Sequence, residues 1–63
     1  MTFTVKQARM YNGFTQVEMA QKMGISRDIY RKIEENPESA TVKQARAISE
    51  ITKIPVDDIF FSK

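Results

Sequence analysis

Neither cysteine nor histidine occurs anywhere in the 63 residues. The first absence rules out a disulfide framework and any thiolate metal site. The second removes the usual imidazole base and metal ligand, so most nucleophile-plus-base arrangements lack their starting material. Carboxylates and lysines are present, but no pair of them comes with a plausible nucleophile or ligand set. An enzyme, a metal centre, a cofactor and a small-molecule ligand are therefore not expected. Long apolar runs are also missing: nothing approaches the roughly 20 residues of a membrane span. The N-terminus lacks the basic-then-apolar layout of a signal peptide, so the chain is expected to be soluble and cytoplasmic.

Length is scarce as well. A chain of 63 residues makes one domain, expected to run over 1–63, near the lower limit for a core without staples. Formal net charge is only +2, too small to identify a nucleic-acid partner. The distribution says more. Residues 1–46 hold eight of the ten bases and five of the eight acids, and the tail from 47 holds two bases and three acids. A phosphate-contacting face and an ordinary solvated surface account for this equally well.

Breakers and caps cut the chain into five short helical segments with almost no linker. The first opens on Thr4 as N-cap and stops at the turn pair Asn12-Gly13. The second starts near Thr15, with Glu18 at capping-box spacing. Its apolar Val17, Met19, Ala20 and Met23 follow helical spacing, and Gly24 supplies a left-handed end. The third runs from Ser26 to Glu35, with Asn36 as a left-handed C-terminal residue and Pro37 forbidding continuation. The fourth opens at Thr41 and puts Val42, Ala45, Ile48, Ser49 and Thr52 on one face. A last turn follows Pro55, with Asp57 and Asp58 near its positive end and Val56, Ile59 and Phe60 inward. No stretch alternates with period two over strand length, so no sheet is expected and the fold class is all-α. The hexapeptide Thr-Val-Lys-Gln-Ala-Arg occurs at Thr4–Arg9 and again at Thr41–Arg46. Two copies cannot make a solenoid; both read as helix starts with a threonine cap and an inward Val/Ala pair.

Segments two and three are joined by Met23-Gly24-Ile25-Ser26, which leaves room only for a tight turn. Helices so joined cross at a large angle, and the second can project from the body of the domain. Spacing at about 100° per residue groups Ile29, Tyr30 and Ile33 toward the core and Arg27, Asp28, Arg31 and Lys32 on the other side. That polar face fits the major groove, where guanidinium groups grip guanine in bidentate fashion. The competing reading is a solvated helix laced by Asp28–Arg31 and Asp28–Lys32 pairs; the preceding helix and turn favour the groove. Arg9 falls on the inward side of segment one and Glu34 at the edge of the apolar face of segment three. Each is a costly half-buried charge alone, so the two are expected to pair.

The stretch Phe14–Glu34 resembles the central unit of the lambda-repressor-like (Cro/repressor, or xenobiotic-response-element) helix-turn-helix family. The matching features are Gln16 opening helix two, Met19-Ala20, Gly24 followed by Ile25 and Ser26, and Ile33-Glu34. Arg9 upstream and Ile54–Phe60 downstream extend the likeness over nearly the whole chain. The resemblance implies a five-helix DNA-binding domain. It implies base or flanking-phosphate contacts for Arg27, Asp28, Arg31 and Lys32, and backbone contacts for Gln16, Ser26, Asn36, Lys43 and Arg46. It also places Arg9 and Glu34 where the family has a buried ion pair. Asn36 stands where glycine is usual, Ile29 where a small residue is common, and Thr52 where leucine is usual; Asp28 is also atypical.

The expected function is a sequence-specific transcriptional regulator, repressor-like, bound as a homodimer to a two-fold operator in double-stranded DNA. Ile54, Val56 and Phe61 are candidates for the contact between subunits; equally, Ile54 and Val56 are core and Phe61 a stray exposed aromatic. The competing class is a protein-interaction module of antitoxin or anti-repressor type that keeps the fold without reading DNA.

Overall fold

The computed structural model describes residues 2–61. Three of its helices begin with the same device. Thr4 Oγ1 accepts from Gln7 N at 3.0 Å while Gln7 Oε1 accepts from Thr4 N at 2.9 Å. The pair Thr41 and Gln44 repeats this at 3.0 and 2.9 Å, and Thr15 and Glu18 at 3.1 and 2.8 Å. Each box satisfies two backbone donors that a helix start leaves open. The repeated hexapeptide is thus the same helix start used twice, with glutamine closing the box.

These boxes open α1 (Val5–Tyr11), α2 (Gln16–Met23) and α4 (Val42–Thr52); Ser26 caps α3 (Arg27–Glu35) by accepting from Ile29 N at 3.2 Å. The fold is helical, with four α-helices among the described residues, so the expected count of five helices is not confirmed. After Pro55 the chain makes only a 3-10 turn, Val56–Asp58, and a second such turn occupies Pro37–Ser39. Three residues cannot close an i to i−4 bond within themselves. A small sheet, not expected, is present. β1 (Phe3–Thr4) pairs in parallel with β2 (Ile59–Phe60), in the register Phe3 to Ile59 and Thr4 to Phe60. Strands of two residues carry no alternation that a sequence pattern could reveal. Their pairing joins the two ends of the described chain.

Asn36 does not adopt the left-handed conformation. Its backbone sits at φ −139°, ψ 81°, because the following proline ring confines the preceding residue to extended conformations. Lys53 is left-handed instead (φ 62°) and ends α4. Gly24 is left-handed as expected (φ 72°). Its N–H reaches Gln21 O at 3.1 Å, and Ile25 N reaches Ala20 O at 3.0 Å. These two bonds form a Schellman motif, which stops α2 and turns the chain into α3 within three residues.

The core gathers Val5 and Ala8 from α1, Met19 and Ala20 from α2, Tyr30 and Ile33 from α3, and Ile48 from α4, with Ile54 and Ile59 closing it. Thr52 is buried beside them, and its hydroxyl donates to Ile48 O at 2.7 Å, so the polar atom is satisfied. Asn12 ties the ends of two helices together by donating to Ala8 O and Thr52 O, both at 3.0 Å. Several residues expected inside are outside: Ile29, Val42 and Val56 are all exposed, as is Val17 on α2. Ile54, a candidate subunit contact, belongs to the monomer core, and Phe61 packs half-buried against it. The Phe60 side chain, expected inward, lies outside the described residues.

Candidate nucleic-acid interface

A charge network fixes how α3 sits on the rest of the domain. Arg9 Nε donates to Glu34 Oε2 at 2.6 Å, with the two side chains only 12% and 6% exposed. Arg9 Nη2 approaches Glu34 Oε1 at 3.5 Å, and Arg9 Nη1 donates to Phe14 O at 2.8 Å. The same Oε1 accepts from Gln16 Nε2 at 3.0 Å. One carboxylate therefore joins α1, the start of α2 and α3, while the guanidinium also holds the connecting loop.

The electrostatics agree. Burial pushes the Glu34 carboxyl up, but the Arg9 hydrogen bond, then the Tyr30 hydroxyl and Gln16, and the guanidinium charge outweigh it, leaving the group below its ordinary value. The Glu34 hydrogen bond raises Arg9, against an opposing effect of burial. Tyr30 is fully buried next to this pair, and burial, with Glu34 beside it, pushes its phenol far up. The Tyr30 hydroxyl is close enough to the carboxylate to help lower it, although no acceptor meets it with full hydrogen-bond geometry.

Outward from this anchor, Arg27, Asp28, Arg31 and Lys32 are all exposed on α3. Among the described residues neither Asp28 pair of the competing solvated-helix reading forms. The only charge contact on this face is Arg31 Nε to Glu35 Oε2 at 3.7 Å, between exposed side chains, and such a pair contributes little. None of the four is committed to the monomer. Gln16 and Arg27 line a shallow recess of about 320 Å³ together with Arg9, Phe14, Thr15 and Val17. Ser26 uses its hydroxyl oxygen as an acceptor in the cap, which leaves the hydroxyl proton available to a phosphate.

The other backbone-contact candidates are not gathered there. Asn36 is exposed at the far end of α3. Lys43 lines a depression with Met23, Gly24 and Ile25, beside the turn between α2 and α3. Arg46 shares a second depression on α4 with Lys43, and also borders Ala40, Val42, Ala45, Val56 and Phe61.

Ile29 is the residue on this face that the helical spacing misplaced; it is 46% exposed. At about 100° per residue, the buried or half-buried Ile33, Tyr30 and Glu34 span an arc of roughly 100°. Ile29 lies about 40° beyond the Ile33 edge. The signal was present in the sequence: once Glu34 is expected to turn inward toward Arg9, the centre of the buried arc moves away from Ile29.

Two short helices joined by a left-handed glycine turn, with the second presenting a polar face and anchored from behind, constitute a helix-turn-helix. The sequence model of the family described as helix-turn-helix matches residues 5–59, from the first residue of α1 to the first of β2. The chain belongs to this family, of the lambda-repressor-like, xenobiotic-response-element type. It is a family of DNA-binding proteins and not of enzymes. No curated protein and no solved structure matches the chain. Among the described residues no helix is long and apolar enough to cross a membrane, and no group of three or more acidic residues is placed to hold a metal ion.

Proposed function

We propose that the chain is one DNA-reading module: a cytoplasmic, sequence-specific transcriptional regulator that represses by occupying an operator through α3. Arg27, Asp28, Arg31 and Lys32 face base edges, and Gln16, Ser26, Asn36, Lys43 and Arg46 meet the phosphodiester backbone. One observation carries this reading. The four side chains of the α3 face are exposed and free of strong partners, while the opposite side of the same helix is pinned by the Arg9–Glu34 pair. A rigid helix with an uncommitted charged face suits insertion into the major groove, which admits an α-helix.

A single module of this size buries only about 600–1,000 Å² on DNA, so two copies on a two-fold site belong to the same reading. With Ile54 in the core, the exposed Val42 and Val56 and the half-buried Phe61, which line one surface, are the residues assigned to that contact. The competing interaction-module reading draws on one observation: Asp28 stands exposed and unpaired on the reading face, where it opposes phosphates.

Selection of bound duplexes from a random library separates the two. A regulator enriches a motif with half-sites about one helical turn apart, and its affinity falls steeply with salt because each neutralised phosphate releases counterions. Flat, negligible binding to every duplex would leave the interaction module standing.

A further inference from the structure

A branched aliphatic side chain, 46% exposed, stands on α3 next to Lys32 one turn further on, on a face otherwise made of charges. Folding does not call for it there, because the core contacts of α3 are supplied by Tyr30 and Ile33. The edges of base pairs in the major groove offer hydrogen-bonding groups and one prominent apolar feature, the C5-methyl of thymine. We propose that Ile29 packs against that methyl and makes the chain select thymine at one position of each half-site. This rests on the DNA-reading function proposed above and adds to it a chemical identity for one base.

Three features favour the contact. Ile29 is the third residue of α3, and the N-terminal residues of a recognition helix come closest to base edges. Its backbone N–H is held by Ser26 Oγ at 3.2 Å, so the first turn is fixed. In a helix a β-branched side chain is nearly confined to one χ1 rotamer, so its methyl groups are presented with little further loss of freedom. Arg27, Arg31 and Lys32 bring the helix to the groove and hold it there; Ile29 contributes only discrimination.

The test uses the intact chain and the duplex enriched from a random library. Each thymine of the half-site is replaced in turn by uracil, which removes the methyl and leaves the hydrogen-bonding edge unchanged. At one position the wild-type chain should lose about fourfold in affinity, the equivalent of one apolar methyl-sized group. Ile29→Ala should bind the thymine and uracil duplexes alike at that position, and Ile29→Val should keep part of the difference. A wild-type chain indifferent to uracil everywhere would overturn the inference, as would an enriched half-site without thymine or a thymine preference that survives Ile29→Ala. In these outcomes DNA reading itself stands; failure to enrich any duplex would remove the functional reading instead, and this inference with it. The uracil comparison needs no variant, so it holds however Ile29→Ala folds.

Discussion

Gln16 donates to Glu34 at 3.0 Å, and the same carboxylate is bound to Arg9 at 2.6 Å. The amide proposed to meet a phosphate is therefore hung from the charge pair that also fixes the angle of α3. Stability and DNA geometry share one anchor, and the two can be separated because its members do different things. Arg9 and Glu34, 12% and 6% exposed, pair their charges with each other, whereas Gln16 makes one hydrogen bond to the pair and borders, with Arg9 and Arg27, the open recess.

Gln16→Ala should weaken binding to all duplexes alike, since a phosphate contact carries no sequence information. Arg27→Ala should relax preference at one base position per half-site, with a loss of about 1–3 kcal/mol there. Binding measured on the enriched duplex and on single-base variants of it checks both. Unchanged affinity for both variants would mean that α3 does not face DNA.

Arg9→Ala removes the guanidinium and leaves a 6%-exposed carboxylate with no opposite charge, only the neutral Gln16 and Tyr30 beside it. Breaking a buried pair from one side costs on the order of 3–5 kcal/mol. For a domain of this size each kcal/mol moves the melting temperature by about 4–8 °C, so a fall of more than about 10 °C is expected. The base preference of the fraction that remains folded should be unaltered. A melt matching wild type would show that the pair adds nothing to the fold.

The same carboxylate makes stability depend on pH in a defined direction. Glu34 is held below its ordinary value of 4.5 in the folded state. A group so depressed adds stability above the unfolded value, and that contribution disappears as pH falls from about 4.5 through the lower folded value. The gap in melting temperature between wild type and Glu34→Gln should be widest near neutral pH and should close in acid. Glu18 is also lowered, by its capping bonds from Thr15. Glu18→Gln is the control: glutamine closes the same box at Gln7 and Gln44, and the acid-dependent gap should persist in that background. A gap constant from pH 7 to pH 3 would place the effect elsewhere.

What was legible in the sequence was what local chemistry writes there. Thr4, Thr15, Ser26 and Thr41 announce their helices because a cap needs an oxygen at one position, and Gly24 announces a turn because its φ of 72° suits glycine. The meeting of Arg9 with Glu34 was legible from the cost of two separate half-buried charges. The parallel pairing of Phe3–Thr4 with Ile59–Phe60 was not, since contact between the chain ends leaves no local trace. Asn36 was misassigned by composition, although Pro37 already forbade the conformation expected of it. The outward turn of Ile29 depended on Glu34 turning in, a relation between two faces that apolar spacing alone does not weigh.

Lys53 offers a separate test of how α4 is closed. It is the only non-glycine residue with positive φ among those described, at φ 62°, ψ 25°. A side chain in that region crowds the following carbonyl and costs about 1–2 kcal/mol. Glycine removes the crowding but frees the unfolded chain, which returns part of the gain. Lys53→Gly should therefore raise stability by about 0.5–1 kcal/mol; at about 4–8 °C per kcal/mol, that is roughly 2–8 °C in a thermal melt. Gly24→Ala makes the opposite exchange at nearly the same backbone angles, φ 72°, ψ 29°. An added Cβ there meets nothing within 4 Å, so backbone strain alone should lower stability by about 1 kcal/mol. The two shifts should have opposite signs. If Lys53→Gly melts lower than wild type, the lysine side chain contributes contacts that outweigh the strain, and the left-handed end of α4 is held by more than its backbone.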